Sequence, residues 1–188
     1  DLIGRAPRTV EQCPTGETGC GASQTRFQLD NLDGRAILRG ADADLRLFFP
    51  LGFRVRGTIS FARGDAPNPI AADDNDEPAT RPMSRVPPLN GLGEVGWRSP
   101  KLGLYAFGVV RWARAQTRLA LADESDARIP DGGTPGFVVF DVRVGYRLDP
   151  YILAGIVVEN LGNAPYRHHG SAINGPGRGL LANLEFGF

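Results

Sequence analysis

Apolar residues recur at every second position along several segments of this chain, and this period limits the possible folds more than any other feature. In "FRVRGTISF", residues 53–61, the odd positions are Phe, Val, Gly, Ile and Phe, and the even positions are Arg, Arg, Thr and Ser. Residues 138–146, "VVFDVRVGY", and 37–49, "ILRGADADLRLFF", alternate in a similar way. Because successive side chains of a β-strand point to opposite faces, the pattern predicts strands with one apolar and one charged face.

Composition narrows the choice of fold class. The chain has 25 glycines and 15 prolines, no long unbroken 3.6-residue period, and no apolar run of the roughly 20 residues that a membrane helix needs. Its 21 Lys and Arg balance 21 Asp and Glu, which argues against a nucleic-acid partner that is held by a basic surface. A mean hydropathy of −0.20 is typical of a soluble chain, but membrane barrels also average to neutral values.

Short and long connections alternate along the chain. "FPLGF", "RSPKLG" and "RLDPY" are tight turns, whereas the links 14–23, 64–88, 120–135 and 161–178 are long. In an antiparallel meander, this alternation gathers the turns at one end of the sheet and the long loops at the other. Outer-membrane β-barrels have this asymmetry, with short periplasmic turns and long extracellular loops. The sequence therefore predicts an all-β fold, an antiparallel transmembrane β-barrel meander.

Aromatic residues cluster beside the short turns and at the end of the chain. Such a cluster is typical of an aromatic girdle at a membrane interface, although aromatic side chains could also cap the core of a soluble barrel. Phe186 and Phe188 end an alternating segment, and we interpret them as a barrel-assembly signal. The residues of the cluster are Phe48, Phe49, Phe53, Trp97, Tyr105, Tyr146, Tyr151, Phe186 and Phe188.

Four segments in register resemble the TonB-dependent outer-membrane receptors. They are "AILRGADADLRLFFPLGFRVRGTISFARG", "RVPPLNGLGEVGW", "RIPDGGTPGFVVFDVRVGYRL" and "VVENLGNAPYRHHGSAINGPGR". The resemblance extends from about residue 26 to residue 188 and implies a 22-stranded barrel, of which this chain would supply about the last seven or eight strands. Residues 1–188 would then be the C-terminal part of a single barrel domain, with the plug and the earlier strands on a longer or a separate chain.

The resemblance also implies a function. Such a receptor imports a scarce solute, such as a siderophore, cobalamin, a glycan or a peptide, across the outer membrane of a Gram-negative bacterium. Its expected partners are outer-membrane lipid, the remainder of the receptor, the TonB complex acting through the plug, and the barrel-assembly machinery. Three alternatives stay open: a self-closed eight-stranded barrel with an adhesin or structural role, an outer-membrane lipase or protease, and a soluble lipocalin-like binder.

Few residues of the sequence suggest a disulfide, a ligand-binding site or catalysis. Cys13 and Cys20 in "CPTGETGC" predict a disulfide that pins an outward loop. Tyr166, Arg167, His168 and His169 are candidate ligand-binding residues in an extracellular loop, with a structural role of the histidines as the preferred alternative, because one histidine there recurs in the resembled family across receptors of very different substrates. The sequence shows no catalytic set, so we expect no enzyme, no cofactor and no metal site.

Overall fold

A computed structural model describes residues 2–8, 11, 13, 15, 27–32, 34–68, 71 and 78–187. The chain divides into two compact units. Unit 1 comprises Asp1–Arg39, Arg63–Val86 and Arg118–Ser125, and unit 2 comprises Gly40–Ala62, Pro87–Thr117 and Asp126–Phe188. Among the described residues, the single α-helix has four residues, and no helix is long and apolar enough to cross a membrane.

Ten β-strands account for most of the described chain, which confirms the predicted all-β fold. Proline and glycine interrupt any helical period, and the alternating segments all become strands. The strands are β1 Leu2–Pro7, β2 Phe27–Leu32, β3 Ile37–Phe48, β4 Phe53–Pro67, β5 Thr80–Pro82, β6 Asn90–Arg98, β7 Leu104–Ala113, β8 Phe137–Asp149, β9 Ile152–Glu159 and β10 Gly179–Phe186, with α1 at Leu121–Glu124.

The main sheet is an antiparallel meander with the order β10-β9-β8-β7-β6-β4-β3, and β5 pairs with the end of β4. Short turns join β3 to β4, β6 to β7 and β8 to β9, whereas long connections of 68–89, 114–136 and 160–178 lie at the opposite end. This arrangement confirms the predicted alternation. A three-residue 3-10 turn, Pro50–Gly52, makes the first short connection, and Gly52 has φ 85, a backbone conformation that glycine adopts without strain.

The main sheet is open in this chain. Among the described strands, β10 pairs with β9 and β3 pairs with β4, so these two strands are the edges. β1 and β2 form a separate two-stranded sheet in which Leu2 lies opposite Leu32. The self-closed barrel alternative requires the first and last strands of the chain to pair, and the described pairing does not join them.

The exposed face of the sheet is the apolar one, which reverses the arrangement in a soluble protein. On β8, Val138, Phe140 and Val144 are 50%, 53% and 42% exposed, whereas Val139 and Asp141 on the opposite face are 1% and 4% exposed. We call the face with Phe140 the outer face and the face with Asp141 the inner face. A large exposed apolar surface is costly in water and favourable in lipid, so the outer face is suited to a bilayer.

Cross-strand register extends these faces over the sheet. The outer row continues from Phe53 on β4 to Trp97 on β6, and Trp112 on β7 lies opposite Val138. The inner row places Arg54 opposite Gly96 and Gly96 opposite Phe107. The face that carries Trp112, which the ambiguous apolar pattern of β7 leaves undecided, is therefore the outer one.

Two members of the predicted aromatic girdle, Tyr105 and Phe48, lie on the inner face instead; Phe48 shares a face of β3 with Arg46 and lines a pocket with it. Tyr105 is opposite Gly145, and its ring fills the space in which a side chain at residue 145 would lie. Its ring centroid is 5.5 Å from that of Phe107, another inner-face residue. The sequence correctly predicts that Tyr105 lies near the short-turn end of its strand. Its distance from the turn does not show which face of the sheet the ring takes.

In unit 1, a buried carboxylate joins parts of two long connections. Asp123 in α1 is 1% exposed and accepts a hydrogen bond of 2.6 Å from the Ser84 hydroxyl group. It also accepts bonds from the backbone N–H groups of Arg85 and Ala120, at 3.3 and 3.2 Å. A buried carboxylate needs such donors to offset the loss of hydration, so Asp123 determines how 78–86 and 118–125 pack together.

Candidate functional site

Ion pairs cross between neighbouring strands on the inner face. Arg56 of β4 donates to Asp44 of β3 at 2.8 Å, and Arg54 of β4 donates to Glu94 of β6 at 3.0 Å. Arg46 also contacts Asp44, at 2.9 Å. The sequence predicts charged side chains on this face, and the structure confirms that they share it.

Near the short turns, glycines on the inner face leave room for side chains that lie flat against the sheet. The Phe107 ring occupies the position where a Cβ atom at Gly96 would lie, and the guanidinium carbon of Arg54 is 4.3 Å from the centroid of that ring. This distance is within the range of a cation–π contact. The Phe107 ring therefore lies along the sheet and does not project from the inner face.

A cleft of about 410 Å³ lies at the long-loop end of the inner face. Its floor comes from strands β4, β6 and β7, and its sides come from the segments before β6 and β8 and from the loop 160–178. No carboxylate side chain lines it. The lining residues are Thr58, Pro87, Pro88, Asn90, Gly91, Leu92, Arg111, Trp112, Ala113, Arg114, Thr134, Pro135, Phe137, Arg167, His168 and His169.

Three of the four predicted ligand-binding residues line this cleft. His168 is exposed, and Arg167 donates from Nε to the Asn174 side-chain oxygen at 2.8 Å. The Nδ1 atom of His169 is 3.0 Å from the hydroxyl oxygen of Thr134, which is 3% exposed. His169 thus ties the loop 160–178 to the segment before β8, whereas His168 is available to a ligand.

Tyr166, the fourth candidate, is packed inside the loop. It is 8% exposed, and its ring centroid is 5.1 Å from that of Phe137 and 5.8 Å from that of His168. The guanidinium carbon of Arg111 lies 5.6 Å from the Tyr166 ring centroid. These contacts give Tyr166 a supporting position behind the residues that line the cleft.

Asn160 and Asp141 organise the loop, and the sequence pattern does not single them out for this role. Asn160 is 1% exposed, has φ 48, and donates its backbone N–H to an Asp141 carboxylate oxygen at 2.9 Å. Arg111 donates two bonds to the same carboxylate, at 2.8 and 3.1 Å. One available signal is that asparagine tolerates a left-handed conformation at the end of a strand.

Two predicted features lie partly outside the described residues. Cys20 is not described, so its disulfide with Cys13 stays a prediction. Phe188 is also not described, whereas Phe186 ends β10 opposite Ile152 on the outer face. The assembly signal therefore stays a prediction, with only its penultimate aromatic residue placed.

Comparisons with known proteins agree with this architecture. The sequence matches the family described as TonB dependent receptor-like, beta-barrel, over residues 1–161. No curated protein matches the chain. Among solved structures, the copper transporter OprC is similar with a TM-score of 0.65 and 20% identity, over 86% of this chain and 25% of the OprC chain. At this identity the likeness concerns the fold, and this chain spans about a quarter of the length of OprC.

Proposed function

This chain belongs to the TonB-dependent receptor family, and we propose that it forms the C-terminal part of the β-barrel of an outer-membrane uptake receptor. Members of this family lie in the outer membrane of Gram-negative bacteria and act as transporters, not as enzymes. The proposed receptor captures a scarce solute at its long extracellular loops and imports it with energy from a TonB complex. The proposed domain is a single barrel whose plug and earlier strands are not in this chain.

The reversed faces of the sheet carry this proposal. Apolar side chains cover the outer face, and paired charges cover the inner face, as a wall between lipid and a polar lumen requires. Family membership adds that a plug fills such a lumen. The inner-face pairs Arg56–Asp44 and Arg54–Glu94 would then face the plug or water, where hydrated or paired charges cost little.

The cleft beside His168 is the proposed contribution of this chain to the ligand site. Arg114, Arg167 and His168 offer cationic and imidazole groups, and Phe137 offers an aromatic surface. A pocket of this kind suits a solute that has both polar and apolar parts. The candidate solutes are siderophores, cobalamin, glycans and peptides, to which the name of OprC adds copper.

Uptake by whole cells tests the proposal. Cells with and without the full-length receptor, each with and without TonB, are given labelled ferric and cupric chelates, cobalamin, oligosaccharides and oligopeptides. We expect uptake of one solute class to require both the receptor and TonB. Equal uptake without TonB would contradict the proposal, as would refolding of residues 1–188 alone into a closed, heat-modifiable barrel.

Two substitutions test whether the cleft binds the transported solute. In the full-length receptor, His168→Ala and Arg167→Ala are expected to weaken binding of the transported solute about tenfold, the effect of one lost polar contact. Tyr151→Ala is the matched control, because Tyr151 is an exposed residue at the opposite end of the sheet. Unchanged affinity in both cleft variants would remove these residues from the ligand site but leave the transport proposal intact.

A further inference from the structure

The loop 160–178 is attached to the barrel wall through a carboxylate that strand pairing does not need. Asp141 lies on β8 and receives two hydrogen bonds from Arg111 of β7 and one from the backbone of Asn160. The pairing of β7 with β8 uses backbone groups over ten residue pairs, from Leu104–Tyr146 to Ala113–Phe137. The Asp141 side chain therefore adds a connection between the wall and the loop to a sheet that is already paired.

Asn160 extends this connection to both limbs of the loop. Its side-chain nitrogen donates to the carbonyl oxygens of Ala164 and Pro176, at 2.9 and 3.0 Å, and its side-chain oxygen accepts the Ala164 N–H at 2.9 Å. Asn163 repeats the pattern, because its side-chain oxygen accepts the Arg178 N–H at 2.9 Å. The outgoing and returning limbs of the loop are thus fixed to each other at their base.

We propose that Asp141 is a positioning residue that acts through Asn160 and fixes the loop 160–178 as an immobile part of the receptor mouth. Arg167 and His168 are then presented to a ligand in one preformed arrangement, a consequence that rests on the proposed function.

Burial and charge support a positioning role. Asp141 and Asn160 are 4% and 1% exposed, so water competes only weakly for their hydrogen-bonding groups. Bonds to an ionised group are stronger than neutral ones, and Arg111 binds Asp141 through two parallel bonds that restrict its rotation. Asp44 provides a natural comparison, since it also pairs with an arginine on the inner face but has no described bond to a long loop.

Amide hydrogen exchange of the full-length receptor in lipid nanodiscs tests the proposal without any ligand. In the wild-type receptor, the N–H groups of Asn160, Ala164 and Arg178 are expected to exchange as slowly as those of β8. In Asp141→Asn and in the isosteric Asn160→Asp, exchange in the loop should accelerate roughly 10- to 100-fold, with the strand amides unchanged. Asp44→Asn should leave the loop unchanged.

Three results would overturn the inference. Fast exchange of the wild-type loop would show that it is not fixed, and this measurement decides the question even if a variant fails to assemble. Acceleration of the strand amides of β8 together with the loop would show that Asp141 serves only the stability of the wall. An equal effect of Asp44→Asn would show that the response is general. Because no solute is present, each result leaves the transport proposal to its own test.

Discussion

Two neighbouring residues of β9 offer the most direct test of the reversed faces. Ile156 lies on the outer face, opposite Val144 of β8 and Ala182 of β10, and it is 53% exposed. Val157 lies on the inner face, opposite Arg143. Ile156→Arg and Val157→Arg introduce the same side chain one position apart, so the main difference between the two variants is the face that the arginine occupies.

The expected difference follows from lipid on one face and polar surroundings on the other. Ile156 is near the middle of its strand, where an arginine that faces lipid costs about 2–4 kcal/mol of folding free energy. The arginine at residue 157 would instead meet the like charge of Arg143, with a cost of the order of a cross-strand pair, about 0.2–1 kcal/mol. The difference of at least about 1–3 kcal/mol corresponds to roughly a 5- to 150-fold change in the unfolding equilibrium.

Guanidinium titration in lipid vesicles measures the free energy of unfolding of the full-length receptor and of both variants. Loss of the compact, heat-modifiable form on electrophoresis reports unfolding, and outer-membrane abundance in cells gives an independent measure. Ile156→Gln serves as a control for the loss of isoleucine without a charge. Equal destabilisation by the two arginine variants, or greater destabilisation at residue 157, would refute the assignment of the outer face to lipid.

Three further tests, two of them with a matched control substitution, probe packing inside the structure. Gly96→Ala places a methyl group where the Phe107 ring lies and should cost about 1–3 kcal/mol, whereas Gly108→Ala, with nothing within 4 Å, should change stability by less than about 1 kcal/mol in guanidinium titration. Asp123→Ala leaves the groups bonded to this buried carboxylate without an acceptor, and protease cleavage at residues 78–86 should accelerate at least about fivefold; unchanged cleavage would contradict its role. His169→Ala should loosen the loop 160–178 in hydrogen exchange more than His168→Ala does.

Strand positions and their faces follow from the sequence because they depend on local chemistry. The alternation at 53–61 and 138–146 predicts the faces of β4 and β8 correctly, since the period of a strand is two and lipid demands an apolar row. The pattern fails at 104–113, where both rows are apolar: alternation puts Trp112 and Phe107 on opposite faces, but only register with β8 shows that Trp112 takes the outer face and Phe107 the inner one. The long connections are predicted within several residues, with β4 extending to Pro67 and β7 ending at Ala113.

For the candidate site too, the sequence predicted one part of the arrangement and tertiary contacts decided the other. The "YRHHGS" segment marks the loop that lines the cleft, because both histidines of the chain lie in it. Their separate roles depend on contacts between distant segments: Thr134 holds His169, and Phe137 covers Tyr166. Sequence separation of about 30 residues hides both contacts from any local pattern.

By itself the sequence determined an antiparallel barrel wall with an apolar outer row, turns at one end and loops at the other, because alternation and turn chemistry act over a few neighbouring residues. The tertiary structure decided the open edges at β3 and β10, the aromatic rings that lie over glycines, and the attachment of the loop 160–178 to Asp141. Each of these depends on which residues meet across strands, and register, not local preference, determines that meeting.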